Sequence, residues 1–442
     1  MNRIVFFMTA GVMWATTLCA GDWPQFCGPD RNNISPETGL ADSWPESGPA
    51  VLWETEVFDG YSGPAVMDGK VYVIDREGEN SVVRCLDLKT GKPLWDCAFA
   101  DPGEMSGKKF AGTRGTPTVT ASAVYLLTGY GTLACIDQQT KQVKWSRNLV
   151  ADFDLTLHQW GYAQGPCLYG DMVLVAMNTD DATVFSFDIA SGKQLWASPK
   201  LGLHGYVSPQ ICTLCGVDMV VAVGSSEKAA KRGRRKEGED AESKPKKELA
   251  PSRVAGLSPK DGSILWDYTD WRCHMAIPHP VQLPDNRLFI TGGYDAGSAM
   301  IQIAKKGSGF EVKELYRTDE VGAQLQQPIP IEKHIFIGSN SNSRKDGLAA
   351  FTLDGKLEWR TKDVEGAPNF ERGPLIMADG KLILLDGKTG ILYLVKADPS
   401  EYKQLASARM VEENDMAWAP LAFSDGKLLV RDWNTLKCVD LK

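Results

Sequence analysis

The chain has 442 residues, 43% of them apolar and 24% charged, with a formal charge of −8. That balance excludes whole-chain disorder, collagen and low complexity, and an acidic surface gives a nucleic-acid partner no electrostatic support. Forty-three glycines, 24 prolines and 13 tryptophans point to a turn-rich β protein, and the length alone would suggest about three domains, an expectation that the repeats below replace.

Residues 1–20 read as a secretory signal peptide. Arg3 supplies the positive start, Ile4 to Leu18 is an uncharged and mostly apolar stretch, and Leu18-Cys19-Ala20 offers a cleavage site before Gly21. The stretch is shorter than the about 20 residues a membrane-spanning helix needs, and no other window is apolar enough. Cys19 raises lipoprotein anchoring, but Thr16-Thr17-Leu18 is a poor match because small residues should directly precede the cysteine. The expectation is an exported protein, periplasmic or extracellular, whose charge becomes −9 when Arg3 leaves. Residues 21–49 follow as an N-terminal extension and 50–442 as the repeat domain.

Nine cysteines remain: Cys27, Cys85, Cys97, Cys135, Cys167, Cys212, Cys215, Cys273 and Cys438. So few in a chain this long do not make a disulfide scaffold, and an odd count leaves at least one thiol unpaired. Cys85, Cys135 and Cys438 recur at one repeat position, which predicts small core residues.

Self-comparison carries the fold. Val83 to Trp95 (VRCLDLKTGKPLW) matches Leu133 to Trp145, Val184 to Trp196, Val254 to Trp266 and Leu348 to Trp359. Each copy is an alternating strand, a turn carrying Asp and usually Gly, and a second strand ending in Trp. A second hairpin precedes each pair. Gly63 to Val73, Gly115 to Leu126, Gly165 to Val175, Gly373 to Leu384 and Ala419 to Val430 are clear copies, and divergent ones start at Ser208, Pro278 and Gln327. Two hairpins make a four-stranded sheet, and eight sheets bury their faces by radial stacking. The fold class predicted is therefore all-β: an eight-bladed β-propeller of four-stranded antiparallel blades. Trp53 lies in an outer-type strand with no hairpin before it, and Lys437 to Leu441 is a third strand with no fourth. The N-terminal strand is thus predicted to complete the last blade. The tryptophans are expected to fill space between blades.

The Leu-Asp-x-x-Thr-Gly…Trp repeat resembles the pyrroloquinoline-quinone-type propeller repeat, shared by quinoprotein dehydrogenases and the outer-membrane assembly factor BamB. The opening Trp23-Pro-Gln-Phe-Cys-Gly-Pro-Asp-Arg-Asn-Asn-Ile-Ser35 resembles that of exported BamB-like propellers, which usually show Arg where this chain has Cys27. Further matches are Trp160-Gly161, Tyr206 to Pro209, Trp418 to Pro420 and Arg431-Asp432. The repeat identifies a fold strongly and an activity weakly. The rhythm breaks at residues 227–252, where Glu227 to Glu248 holds nine Lys or Arg, six Asp or Glu and no aromatic residue. Its composition predicts a disordered charged insertion, a solvated loop or a tether for an acidic partner.

Catalytic signatures are sparse. The resemblance implies, for a dehydrogenase, a quinone (PQQ) under a vicinal disulfide with calcium held by Glu, Asn and Asp, and this chain has no Cys-Cys dipeptide. Cys212-Thr-Leu-Cys215 lacks the second pair a zinc site wants. The histidines form no metal motif, and neither a nucleophile elbow nor a phosphate loop occurs. Loops leading into the inner strands converge on one channel mouth. There Arg114, Trp160, Tyr206, His274, Arg372 and Trp418 are the candidate ligand-binding residues, with no catalytic or metal residue assigned. The leading expectation is a non-catalytic, monomeric scaffold without cofactor, binding a protein or peptide-like partner. The alternatives are a PQQ- and calcium-dependent alcohol or sugar dehydrogenase and a carbohydrate-binding propeller.

Overall fold

The computed structural model describes residues 21–58, 60–107, 112–227, 252–340, 345–412 and 417–442. The expected signal peptide and most of the charged insertion fall outside them. Eight four-stranded antiparallel sheets form the ring. Blade one is Ala65–Met67, Lys70–Glu77, Asn80–Asp87 and Pro93–Ala100, with the short first strand innermost. The inner strands of blades two to eight are Thr118–Val119, Cys167–Tyr169, Gln210–Leu214, Val281–Leu283, Ile329–Ile331, Leu375–Ala378 and Ala422–Ser424.

The turns follow from local chemistry. Asp68-Gly69, Asp379-Gly380 and Asp425-Gly426 all have positive φ at both residues, the backbone of a tight two-residue hairpin. In the outer turns Asp87 accepts from the Thr90 N–H at 2.8 Å, and Asp137 and Asp188 do the same for Thr140 and Ser191 at 2.7 and 2.8 Å.

Apolar clusters occupy the gaps between neighbouring blades. One joins blades one and two through Tyr72, Cys85, Val124 and Ile136, and the next joins blades two and three through Tyr125, Cys135, Val173 and Phe187. The tryptophans bridge these gaps as expected, and they also bond across them. Trp53 donates to the Leu88 carbonyl at 2.8 Å, Trp196 to Pro259 at 2.9 Å and Trp359 to Asp398 at 3.1 Å, in each case in the next blade. Gly91 and Gly262 lie under the rings of Trp53 and Trp196, where any Cβ would stand 2.6 and 2.5 Å from a ring carbon. The repeat's Gly thus serves the neighbouring blade's Trp as well as its own turn.

Closure is as predicted. Val51–Glu56 pairs antiparallel with Thr435–Asp440, Trp53 opposite Cys438, and completes blade eight. Arg431 of that blade is fully buried and donates to Asp75 at 3.0 Å, the Ser62 hydroxyl at 2.6 Å and the Phe58 carbonyl at 2.7 Å, clamping blade eight to blade one.

Residues 21–49 lie against the hairpin end of the channel. Trp23, 1% exposed, exchanges main-chain bonds with Val66, and Arg31 donates to the carbonyls of Pro166 and Pro209, both at 3.3 Å. Cys27, Arg31 and Asn33 all have positive φ, a conformation that non-glycine residues adopt only where surroundings enforce it. The segment is a plug.

Candidate functional site

The connections that carry the chain from one blade's outermost strand to the next blade's innermost strand gather at the other end of the channel. Arg114 precedes Thr118–Val119, Trp160 precedes Cys167–Tyr169, Tyr206 precedes Gln210–Leu214, Arg372 precedes Leu375–Ala378 and Trp418 precedes Ala422–Ser424. The structure brings these five into the wall of one pocket of about 300 Å³. His274 stands outside that wall, its ring edge-on to Tyr294 at 4.7 Å.

Tyr294, Gln324, Met275 and Ile277 also line the pocket and were not among the sequence candidates. Tyr294 comes from the turn between the second and third strands of blade five, not from a connection between blades. Its positive φ of 59° marks a turn held open for a bulky ring. The only sequence signal was the Gly292-Gly-Tyr-Asp295 turn.

Rings hold the cations in place. The Tyr61 and Trp418 rings stack 5.6 Å apart at 21°, with the Arg114 guanidinium 5.0 Å from the Tyr61 ring and that of Arg372 5.1 Å from Trp418. Both distances suit cation–π attraction. Trp160 and Tyr206 face each other at 6.5 Å, and Gln324 donates to the Tyr294 hydroxyl at 2.7 Å. Burial pulls the Arg114 guanidinium below its ordinary range, against the phenols of Tyr61, Tyr206 and Tyr130. Burial pushes Tyr206 up to about 12 although Arg114 opposes it, and raises Tyr294 against its bond from Gln324 and the nearby Arg372. At neutral pH the pocket therefore presents the Arg114 guanidinium and protonated phenols, and the Arg372 guanidinium lies 3.7 Å from the Glu371 carboxylate.

Behind Tyr206 the His158 and His204 rings stack 3.4 Å apart, and His204 meets Tyr206 edge-on at 4.9 Å. Burial, then His158, holds His204 down to about 2, and burial also lowers His158. Both rings are neutral supports. Among the described residues, no carboxylate, histidine or cysteine stands in the pocket wall, and no three His, Cys, Asp or Glu gather to hold a metal ion. Cys212, Cys215 and the other seven cysteines among the described residues are free thiols. The arrangement can stack on a flat or apolar group and attract negative charge. Among the described residues of its wall there is no carboxylate or imidazole poised to move a proton.

A family model described as "Outer membrane protein assembly factor BamB" matches residues 79–343. The serine/threonine-protein kinase AfsK of Streptomyces griseus is 28% identical over 174 residues, 38% of this chain and 20% of that protein. The outer membrane protein assembly factor BamB of Burkholderia pseudomallei is 27% identical over 117 residues, 26% of this chain and 27% of that protein. The chain thus matches about a quarter or less of these curated relatives' length. Among solved structures, BamB from Moraxella catarrhalis superposes with a TM-score of 0.58 at 14% identity, covering 89% of this chain and 98% of that one. A quinohemoprotein alcohol dehydrogenase from Comamonas testosteroni gives 0.62 at 11% identity, covering 96% and 81%. At such identities the likeness is one of fold.

Proposed function

The chain belongs to the outer membrane protein assembly factor BamB family, and from that premise we propose that it is an exported, non-catalytic propeller scaffold holding a protein or peptide-like partner at its channel mouth. The observation that carries this reading is the mouth pocket itself. Trp160, Tyr206 and Trp418 with Arg114 and Arg372 are the residue types that anchor binding interfaces, and they are fixed in advance by stacking. Rigid anchors lose little freedom on binding. Envelope export fits the expected leader, and no helix among the described residues is long and apolar enough to cross a membrane.

The test is recovery of partners from envelope extract on the immobilised wild-type chain and on Trp160→Ala. A partner held by the first and lost by the second is expected. Equal recovery by both, or no specific partner from either, overturns the reading.

The paired guanidiniums favour one second reading, a PQQ-dependent dehydrogenase. Arg114 and Arg372 over aromatic rings suit a flat polyanion such as the quinone. The calcium does not fit: it takes six to eight oxygen ligands with carboxylates among them, and the described wall offers none. Calorimetric titration with quinone, with and without calcium, separates the readings, since a clear binding signal would favour the dehydrogenase.

A further inference from the structure

The mouth pocket is divided by charge. Because the blades follow one another round the ring, the connections that enter them stand in the same order about the channel. Trp160, Ala163, Tyr206, Met275, Ile277 and Leu325 come from the connections into blades three to six and form an apolar arc. Arg372, Trp418 and Arg114, from the connections into blades seven, eight and two, form the facing arc. There the two guanidiniums flank the stacked rings of Trp418 and Tyr61, at 5.1 and 5.0 Å. All of these wall residues are half-buried, so each keeps surface for an occupant of the pocket.

The pocket is closed from beneath. Leu325 and Trp418 also line a smaller cavity of about 40 Å³, whose other walls include Phe26 and Cys27 of the N-terminal plug. The channel is therefore filled below the mouth, and an occupant enters and leaves by one opening. A chain cannot thread through, but the tip of a loop can insert. Among the described residues the wall itself holds guanidiniums and no carboxylate, and Glu371, 3.7 Å from Arg372, also meets Lys345 at 3.1 Å. Burial already disfavours the Arg114 cation, so a carboxylate brought beside it gains more than at the open surface. The rings of the apolar arc suit a further aromatic ring, with the Met275 sulfur able to lie at its edge.

We infer that the mouth receives the tip of a partner protein's loop, seating an aromatic side chain against the apolar arc and the carboxylate of a neighbouring Asp or Glu against the cationic arc. The inference rests on reading the mouth as a partner-binding site and names the sequence that such a site selects. Successive side chains of an extended segment point to opposite sides, which is how the two arcs are disposed. A chain-terminal carboxylate lies on the segment's axis instead of on the side that faces the guanidiniums. A neutral sugar could stack on the rings, but it would draw water from the guanidiniums without bringing an anion.

The probes are acetyl-Glu-Phe-Glu-amide, its Gln-Phe-Gln and Glu-Ala-Glu counterparts, acetyl-Gln-Phe with a free terminal carboxylate, and glucuronate, each titrated against the full chain by ligand-observed NMR. The first is expected to bind roughly fivefold tighter than the Gln peptide. That lead should shrink as salt rises from roughly 0.05 to 0.5 M, which shortens the screening length. Arg114→Met should abolish the preference for Glu over Gln and leave the Gln peptide's affinity unchanged. Ala163→Trp, which fills the pocket without removing a wall group, should weaken both Phe peptides roughly tenfold, and Trp160→Ala should weaken both as well. Equal binding of the Glu and Gln peptides, equal binding of the Ala peptide, tighter binding of the free-carboxylate peptide or glucuronate, or no peptide binding at millimolar concentration overturns the inference. Should Arg114→Met fail to fold, the wild type decides, because a Glu lead unchanged by salt also overturns it. An envelope partner held by the wild type and lost by Trp160→Ala, with no Glu preference here, would sink this inference alone. A Glu preference with no partner recovered would instead sink the broader reading.

Discussion

Trp196 and Trp160 belong to the same blade and face different surroundings. Trp196 lies between blades three and four, 8% exposed and bonded to the Pro259 carbonyl. Trp196→Ala should cost about 3–5 kcal/mol in urea unfolding, the usual loss for a large aromatic in a packed gap. Trp160→Ala should move that midpoint less and weaken partner binding by more than about 1 kcal/mol. The opposite order would make the mouth rings plugs. His204 supplies a pH test, because both its ring nitrogens are buried without a hydrogen-bond partner. Its folded pKa is depressed from 6.5 to about 2, so below pH 6.5 the unfolded chain takes up the proton first. Stability is then full above pH 6.5 and falls as pH drops toward 2, by up to about 1.4 kcal/mol per pH unit. His204→Phe should flatten the decline in melting temperature between pH 6.5 and 4; an unchanged slope would show that this ring does not titrate on unfolding. Five of the six candidate mouth residues were legible because the blade register fixes which connections reach the channel. His274 reaches the pocket wall through the Tyr294 ring, and Tyr294 escaped because its turn belongs to the other set of loops at that end.

The blades could be read from their strands because alternation, Asp-Gly turns and recurrent Trp all repeat at one spacing. The plug could not. Residues 23–35 carry no periodicity, since their conformation is set by inner strands distant in sequence, as in the bonds from Arg31 to Pro166 and Pro209. Three non-glycine residues with positive φ in one short segment are a tertiary demand, not a local preference. Arg31→Met keeps the stem and removes those bonds, so it should cost about 1–3 kcal/mol in urea unfolding. A cost near zero would mean that the plug is held by Trp23 and its main-chain bonds alone.

For the ring as a whole, the mismatch of copies at Trp53 and Lys437 was enough to expect closure by Val51–Glu56. The clamp made by Arg431 was not, because nothing near Asp75 in sequence announces a distant arginine. The pair is fully buried, and Asp75 also accepts from Arg84 at 2.7 Å. Removing the carboxylate leaves the buried Arg431 without its counter-ion and turns an amide N–H₂ toward one of the two guanidiniums, so Asp75→Asn should cost about 3–5 kcal/mol. Arg431→Met should cost less, because Asp75 keeps its bond from Arg84. Calorimetric unfolding of the two variants checks the order, and effects near zero from both would assign closure to the strand pairing instead.

The pairing of Val51–Glu56 with Thr435–Asp440 also sets an order of events during synthesis. Until the later strand has been made, the earlier one has an open edge with nothing to bond, and such edges recruit other chains. Joining segments so far apart costs about 5 kcal/mol of chain entropy, so the seam forms late, after neighbouring blades have begun to hold its two sides together. A stop codon that removes only the final eight residues would therefore do more than shorten one blade: it would leave the first-made strand permanently sticky, and the product should accumulate as aggregate rather than as a slightly weakened ring.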